Sequence, residues 1–148
     1  MTLSTNAAVV EDESQGWQTT ISDSSAIADG VFNAGTNTAF VLTDKAPFAD
    51  VVLEVTMASA PAAGAAFHLY LRDMLVDGTN PAPVPDNNYK SRYVGSFALD
   101  LVNTIQRVPL EGIRIKSNQE FRIENDTGVS TSGTTAVKIK AQSYNAKV

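Results

Sequence analysis

The sequence predicts an all-β protein, folded as a single antiparallel β-sandwich that is jelly-roll-like and has about eight strands. In five segments apolar residues alternate with polar ones at a period of two, which is typical of strands with one buried face. Gly, Pro, Asn, Ser and Thr separate these segments and mark turns. Apolar residues do not recur at three and four over any long window, so no helix is predicted. An immunoglobulin-like sandwich is the alternative arrangement of the same strands.

The predicted strands fall into a clear set and a weaker set. The clear alternation covers residues 51–57, 66–75, 92–100, 120–125 and 136–144. Weaker patterns cover residues 17–21, 26–33, 38–43 and 104–110, and Pro109 predicts that the last of these ends there or lies at a sheet edge. At 148 residues the chain suits one domain, which we divide into an N-terminal arm (1–16) and a sandwich domain (17–148).

The alternation also predicts which side chains face the core. The inward set comprises Val51, Leu53, Val55, Met57, Phe67, Leu69, Leu71, Tyr93, Gly95, Phe97, Leu99, Phe121, Ile123, Val137, Ile139 and Ala141. His68, Tyr70 and Arg72 share the opposite face of their strand. Of two long connections, residues 76–90 are predicted to form a stiff, proline-rich loop and residues 124–135 a mobile polar tip.

Composition excludes several classes of function. The chain has no cysteine, which excludes disulfides, thiolate nucleophiles and zinc sites built on sulfur. A Ser–His–Asp triad would have to use the single histidine, His68, which we predict to be a surface or interface residue instead. No apolar run approaches the roughly 20 residues that span a bilayer, and the start MTLSTNAAVVEDES lacks the basic segment of a secretory signal. We therefore expect no membrane partner and assembly in a cytoplasm.

The remaining motifs predict no catalytic, cofactor or metal site. There is no GxSxG turn to present a serine. The oxygen-rich stretches 77–80 and 86–88 lack the spacing of a calcium loop and are predicted to be Asx turns. The possible members of a sugar-stacking platform are Trp17, Tyr70, Tyr89, Tyr93 and Tyr144. We predict instead that these aromatic side chains pack in the core or in an interface.

Charge is unevenly distributed along the chain, whose net charge is −5. Residues 1–66 carry eight acidic residues and one lysine, a net −7, whereas residues 67–148 carry eight acidic and ten basic residues, a net +2. Opposite biases on one small protein favour contact with other copies or with a charged partner surface. The sequence has no cluster of Lys and Arg of the kind that binds nucleic acid, so we expect no nucleic-acid partner.

One stretch, PVPDNNYKSRYVGSF (83–97), brings aromatic and cationic residues together where a loop runs into a strand. Since Tyr93 is predicted to pack in the core, Tyr89, Lys90 and Arg92 are left as interface candidates. The complementary candidates near the N-terminus are Glu11, Asp12, Glu13 and Trp17.

Residues 66–145 resemble small virion proteins of tailed bacteriophages. Three features carry the resemblance in order: a Pro/Asn loop running into YKSRYVGSF, a strand leading to VPLEGI, and EFRIENDTG followed by a polar loop and a final alternating strand. The resemblance implies a β-sandwich or jelly-roll protein of the decoration or cement type. Such a protein sits as a dimer or trimer on the major capsid protein at the capsid exterior. A tail or collar location is the other one that the resemblance implies.

We therefore expect a non-enzymatic structural protein that binds and stabilises the major capsid lattice, without a cofactor. A carbohydrate- or receptor-binding sandwich module is the alternative. The two differ in what they should expose. A glycan reader needs Trp or Tyr rings beside amide and acid side chains, whereas a cement protein needs an extended contact surface and a stable oligomer.

Overall fold

The computed structural model of this chain describes residues 8–12, 16–42, 48–90 and 92–147, of which 8–12 and 143–147 are described by their backbone alone. This part of the chain contains strands and no helix. The strands are β1 (Ala8–Asp12), β2 (Gln18–Asp23), β3 (Val31–Phe32), β4 (Thr36–Asn37), β5 (Phe48–Val55), β6 (Ala66–Asp73), β7 (Tyr93–Ala98), β8 (Gln106–Arg114), β9 (Gln119–Asp126) and β10 (Thr135–Lys147). The predicted all-β class is confirmed.

The strands form two antiparallel sheets with the topology of a jelly roll. One sheet has the order β4-β2-β10-β5-β8, with β1 added to β10, and the other has the order β3-β9-β6-β7. The pairs β2 with β10, β3 with β9, β5 with β8 and β6 with β7 are those of one long antiparallel ribbon. Rolling this ribbon up adds the pairs β5 with β10 and β6 with β9. The predicted jelly-roll-like sandwich is thus confirmed.

The core lies between the inner faces of the two sheets, as the alternation predicts. Of the predicted inward set, the buried members are Val51, Leu53, Val55, Met57, Phe67, Leu69, Leu71, Phe97, Leu99, Phe121, Ile123, Val137, Ile139 and Ala141. Full burial of one such aliphatic or aromatic side chain contributes about 1.5–3 kcal/mol, so this contact between the sheets is the main stabilising one.

The predicted position of Tyr93 is wrong. Tyr93 is 56% exposed, while its neighbour Val94 packs against the core. The ladder between β6 and β7 shifts register between Leu69 and Tyr70, which pair with Gly95 and Tyr93. A shift of one residue moves a side chain to the other face of the sheet. Arg92 precedes this irregularity with a φ of 68°, in the left-handed region that non-glycine residues seldom adopt.

The weaker strand predictions have mixed outcomes. Residues 17–21 largely coincide with β2, but only 31–32 of the predicted strand 26–33 are extended in a ladder, and within 38–42 Phe40 forms an isolated bridge. Pro109 lies inside β8, which continues to Arg114. Because β8 is the last strand of its sheet, the edge position predicted from Pro109 is confirmed.

The connection from β9 to β10 is packed against the sandwich, contrary to the mobile tip predicted from its small polar residues. Thr127 and Thr131 are buried, and the Thr131 Oγ1 accepts a hydrogen bond from the Ile27 amide at 2.8 Å. The Asn125 side chain donates to the carbonyls of Ile27 and Val129. The polar side chains of this connection therefore form hydrogen bonds with buried backbone groups.

One end of the sandwich differs from the other because β1 projects from it. β10 pairs with β2 and β5 up to Gln142, and beyond that point its residues 143–147 pair with β1. We call this end the ribbon end. The strand registers also place there the start of β5, the ends of β6 and β8, and the start of β9.

The part of the chain that the structure describes has no helix able to cross a membrane.

Candidate functional site

Large apolar side chains are exposed at the ribbon end. Met74 donates its amide to the Asn118 carbonyl, and Asn118 donates its own amide to Phe40, so the loops after β6, before β9 and around residue 40 meet there. The exposed large apolar residues at this end are Trp17, Val41, Phe48, Leu75 and Val76. Exposed apolar groups of this size are typical of surfaces that contact other proteins.

A buried carboxylate organises the cations at the same end. Asp73 ends β6 and is only 3% exposed. Its carboxylate accepts a hydrogen bond from Gln119 at 2.5 Å and pairs with Lys116 at 3.3 Å and with Arg92. Burial raises the pKa of this carboxyl, but the Gln119 hydrogen bond and the two cations lower it more, so the net pKa lies below the usual value. Asp73 is therefore ionised at neutral pH and fixes the positions of both cations.

Two adjoining clefts open beside these cations, between the edge strands β7 and β8. One has a volume of about 350 Å³ and the other about 430 Å³, and Arg92 and Arg114 line both. Lys116 and Gln119 line only the larger cleft. None of the described residues that line either cleft is acidic. Arg114 is exposed and forms no ion pair with any residue in the described part of the chain.

The proline-rich loop between β6 and β7 covers the outer face of the four-stranded sheet. Arg72 donates through Nε to the Ala82 carbonyl at 2.7 Å and pairs through Nη1 with Glu120 at 2.8 Å, which ties the loop to the sheet. Glu124 is buried under it, where it accepts a hydrogen bond from the Tyr70 hydroxyl at 2.9 Å and pairs with Lys90. Burial and the contact with Glu124 raise the pKa of Tyr70.

The structure places the predicted interface candidates in different settings. Lys90 and Arg92 pair within the chain with buried acids, while the Tyr89 ring is 39% exposed on the loop. Trp17 lies at the ribbon end beside the start of β2. Glu11 and Asp12 lie on β1, described by its backbone, and Glu13 lies outside the described residues.

His68 lies in a hydrogen-bonded row that sequence reasoning missed. Its Nδ1 is 2.7 Å from the Ser96 Oγ, and its Nε2 is 3.1 Å from the Asp126 carboxylate. The Ser96 Oγ is also 2.6 Å from the Tyr93 hydroxyl. The sequence could have revealed this row only through the register that pairs His68 with Ser96. That register depends on the long-range pairing of β6 with β7.

This row has the residue types of a hydrolytic triad but a different setting. In a triad the acid is buried and orients the histidine, whereas the Asp126 side chain is 69% exposed. Ser96 lies inside strand β7, while a nucleophilic serine is usually presented on a sharp turn. The geometry therefore suits hydrogen bonding to a polar ligand better than acyl transfer.

The two oxygen-rich stretches form Asx turns, as predicted. Asp77 accepts hydrogen bonds from the Thr79 and Asn80 amides and from the Asn80 side chain, which lower its pKa to about 2. Asp86 likewise accepts from the Asn88 and Tyr89 amides. Within the described residues no group of three or more His, Asp or Glu side chains is arranged to hold a metal ion.

The cationic cleft was also missed by sequence reasoning. Arg114 ends β8 and Lys116 lies two residues further along, but Arg92 joins them only because β7 and β8 lie at the same side of the sandwich. Comparison with protein-family models, curated proteins and solved structures finds no match to this chain.

Proposed function

We propose that this chain is a non-enzymatic structural protein of a tailed-phage virion that decorates the capsid exterior and stabilises the lattice of the major capsid protein. The observation that carries the proposal is the ribbon end, where exposed apolar side chains and exposed cations occur together. Apolar side chains flanked by charged groups form the contact surfaces of protein–protein interfaces. The resemblance of residues 66–145 to small virion proteins supplies the kind of partner.

Rigidity supports the same role. The long loop next to this end is held by ion pairs from Arg72, Lys90 and Arg92 to buried acids. A preorganised surface loses little conformational entropy on binding, so each weak contact with the lattice retains more of its free energy. A protein that bridges neighbouring lattice subunits adds such contacts as avidity. Stabilisation follows because the protein binds the assembled lattice better than the loose subunits.

Co-sedimentation with capsids tests this function. Purified protein would be mixed with expanded capsids and, separately, with unexpanded procapsids of the phage whose genome encodes it. We expect binding to expanded capsids and a rise in the temperature at which they disrupt. No binding to either particle, or the absence of a major capsid gene from that genome, would contradict the proposal.

One observation favours the second candidate, a carbohydrate- or receptor-binding module. Tyr93 exposes its ring next to the row of His68, Ser96 and Asp126, which offers hydroxyl, imidazole and carboxylate groups beside an aromatic face. The Tyr93 ring lies 6.0 Å from the His68 ring, centroid to centroid. Sugar rings stack on such faces while their hydroxyls bind the polar neighbours. Binding on a glycan array that Tyr93→Ala abolishes would support this candidate over the first.

A further inference from the structure

We propose that the cleft lined by Arg92, Arg114 and Lys116 binds the acidic strand β1, at Glu11 and Asp12, of a second copy of this chain. The contact is reciprocal, so two copies meet ribbon end to ribbon end in a two-fold dimer. This inference rests on the oligomer that belongs to the proposed function, and it names the surface and the partner.

The charge of the cleft specifies an anionic ligand. Arg92, Arg114 and Lys116 line the larger cleft, and two of them, Arg92 and Lys116, share one carboxylate, that of Asp73. The lining thus carries three positive charges against one negative charge, in a chain whose net charge is −5. Arg114 presents its guanidinium to the solvent without an ion-pair partner among the described residues. An arginine of this kind suits bidentate binding of a carboxylate.

The shape of the cleft specifies a peptide segment. The two clefts adjoin along Arg92 and Arg114 and run beside β8, whose outer edge pairs with no other strand that the structure describes. An extended segment can therefore lie along this edge with its carboxylates against the cations.

The position of the acids specifies a second copy. Glu11 and Asp12 lie on β1, which projects from the same end of the sandwich as the cleft. In a two-fold dimer both copies use the same patch, so a contact of one residue with a second residue of the other copy occurs twice. Because β1 and the cleft belong to one end, a two-fold dimer formed at this end can place β1 of each copy against the cleft of the other.

Sedimentation velocity of the full chain tests the dimer. It would be run at about 0.01 M and about 1 M salt, between which the screening length falls from about 30 Å to about 3 Å. We expect a dimer at low salt whose dissociation constant rises with salt. Arg114→Glu should raise the dissociation constant at least about tenfold, because the new carboxylate would repel Glu11 and Asp12 of the other copy in each contact.

The controls separate this contact from general charge effects. Arg107→Glu makes the same change in the same strand at the opposite end of the sandwich and should leave the dimer intact. Glu11→Lys with Asp12→Lys should weaken the dimer as Arg114→Glu does, which keeps the test valid if the arginine variant misfolds. Combining the three substitutions in one chain should restore the dimer, since each contact again joins opposite charges.

Several outcomes would overturn the inference: a wild-type monomer at both salt concentrations, a trimer, unchanged association of Arg114→Glu, or no restoration in the combined variant. Capsid co-sedimentation is scored separately. A monomer that binds capsids overturns the dimer and leaves the proposed function standing. A salt-sensitive dimer that binds no capsid supports the dimer and contradicts the proposed function.

Discussion

Asp73 is a buried residue that positions two cations of the exposed cleft. The carboxylate is almost fully buried, yet it holds two cations that line the cleft and the side chain of Gln119, which is itself 1% exposed. Arg92 and Lys116 have exposed heads that water can solvate if the carboxylate is removed. The buried Gln119 amide cannot be solvated in this way.

Asp73→Asn should lower the free energy of unfolding by about 1–3 kcal/mol at neutral pH, the cost of disturbing a buried polar contact. Because the folded pKa of Asp73 is lowered, its contribution is present above the unfolded value of about 3.9 and is lost as the pH falls through the folded value. Urea unfolding of wild type and variant should therefore differ at neutral pH and converge in acid. Asp126→Asn is the control, since its carboxylate is 69% exposed. A difference that persists unchanged into strong acid would be incompatible with this role.

At the scale of elements, the connection from β2 to β4 depends on a close approach of two backbone segments. Asp23 ends β2 and is buried, and its carboxylate accepts hydrogen bonds from the amides of Ser25, Ala34 and Gly35. A Cβ added to Gly35 would lie 2.7 Å from the Cα of Asp23 and 2.5 Å from its Cγ. Only a glycine leaves room for this contact.

Gly35→Ala should destabilise the protein by about 1–3 kcal/mol, because the backbone must move and weaken the hydrogen bonds to Asp23. Gly16→Ala is the matched control, since a Cβ there would meet nothing within 4 Å. Chemical unfolding of both variants measures the difference. Equal midpoints for the two would mean that the connection adapts without cost.

Sequence alone predicts the regular elements and fails where pairing between distant strands decides the outcome. Period-two alternation identified the inner faces of β5, β6, β9 and β10, because each of these strands runs through a sheet without losing its own alternation. It failed at Tyr93, since the irregular register of β7 against β6 is a property of the pair. The cleft was missed for the same reason. Arg92 directly precedes β7 and Arg114 ends β8, so these two cations are 22 positions apart in the chain.

At the scale of the whole molecule, the sandwich is complete without the segment before residue 16. β1 pairs with β10 only over residues 143–147, beyond the part of β10 that lies between β2 and β5. A two-stranded ribbon has little stability of its own in water. We infer that this ribbon contributes to binding more than to the stability of the fold.

Deletion of residues 1–15 should leave a folded sandwich that no longer binds capsids or forms the dimer. A change of about 0.5 kcal/mol or less corresponds to a shift in the melting temperature of about 2 °C or less for a chain of this size. Circular dichroism would measure the melting temperature, and co-sedimentation and sedimentation velocity would measure binding. Capsid binding with wild-type affinity would show that the segment is dispensable.

The central position of β10 has a consequence for how the protein is made. Its residues 135–142 lie between β2 and β5, so a strand that is synthesised after all the others described here joins the middle of its sheet. A nascent chain that lacks it holds β2 and β5 with open edges and no partner between them. The larger sheet therefore closes only after residues 135–142 have been synthesised, and a chain cut short before residue 135 has no route to the native fold.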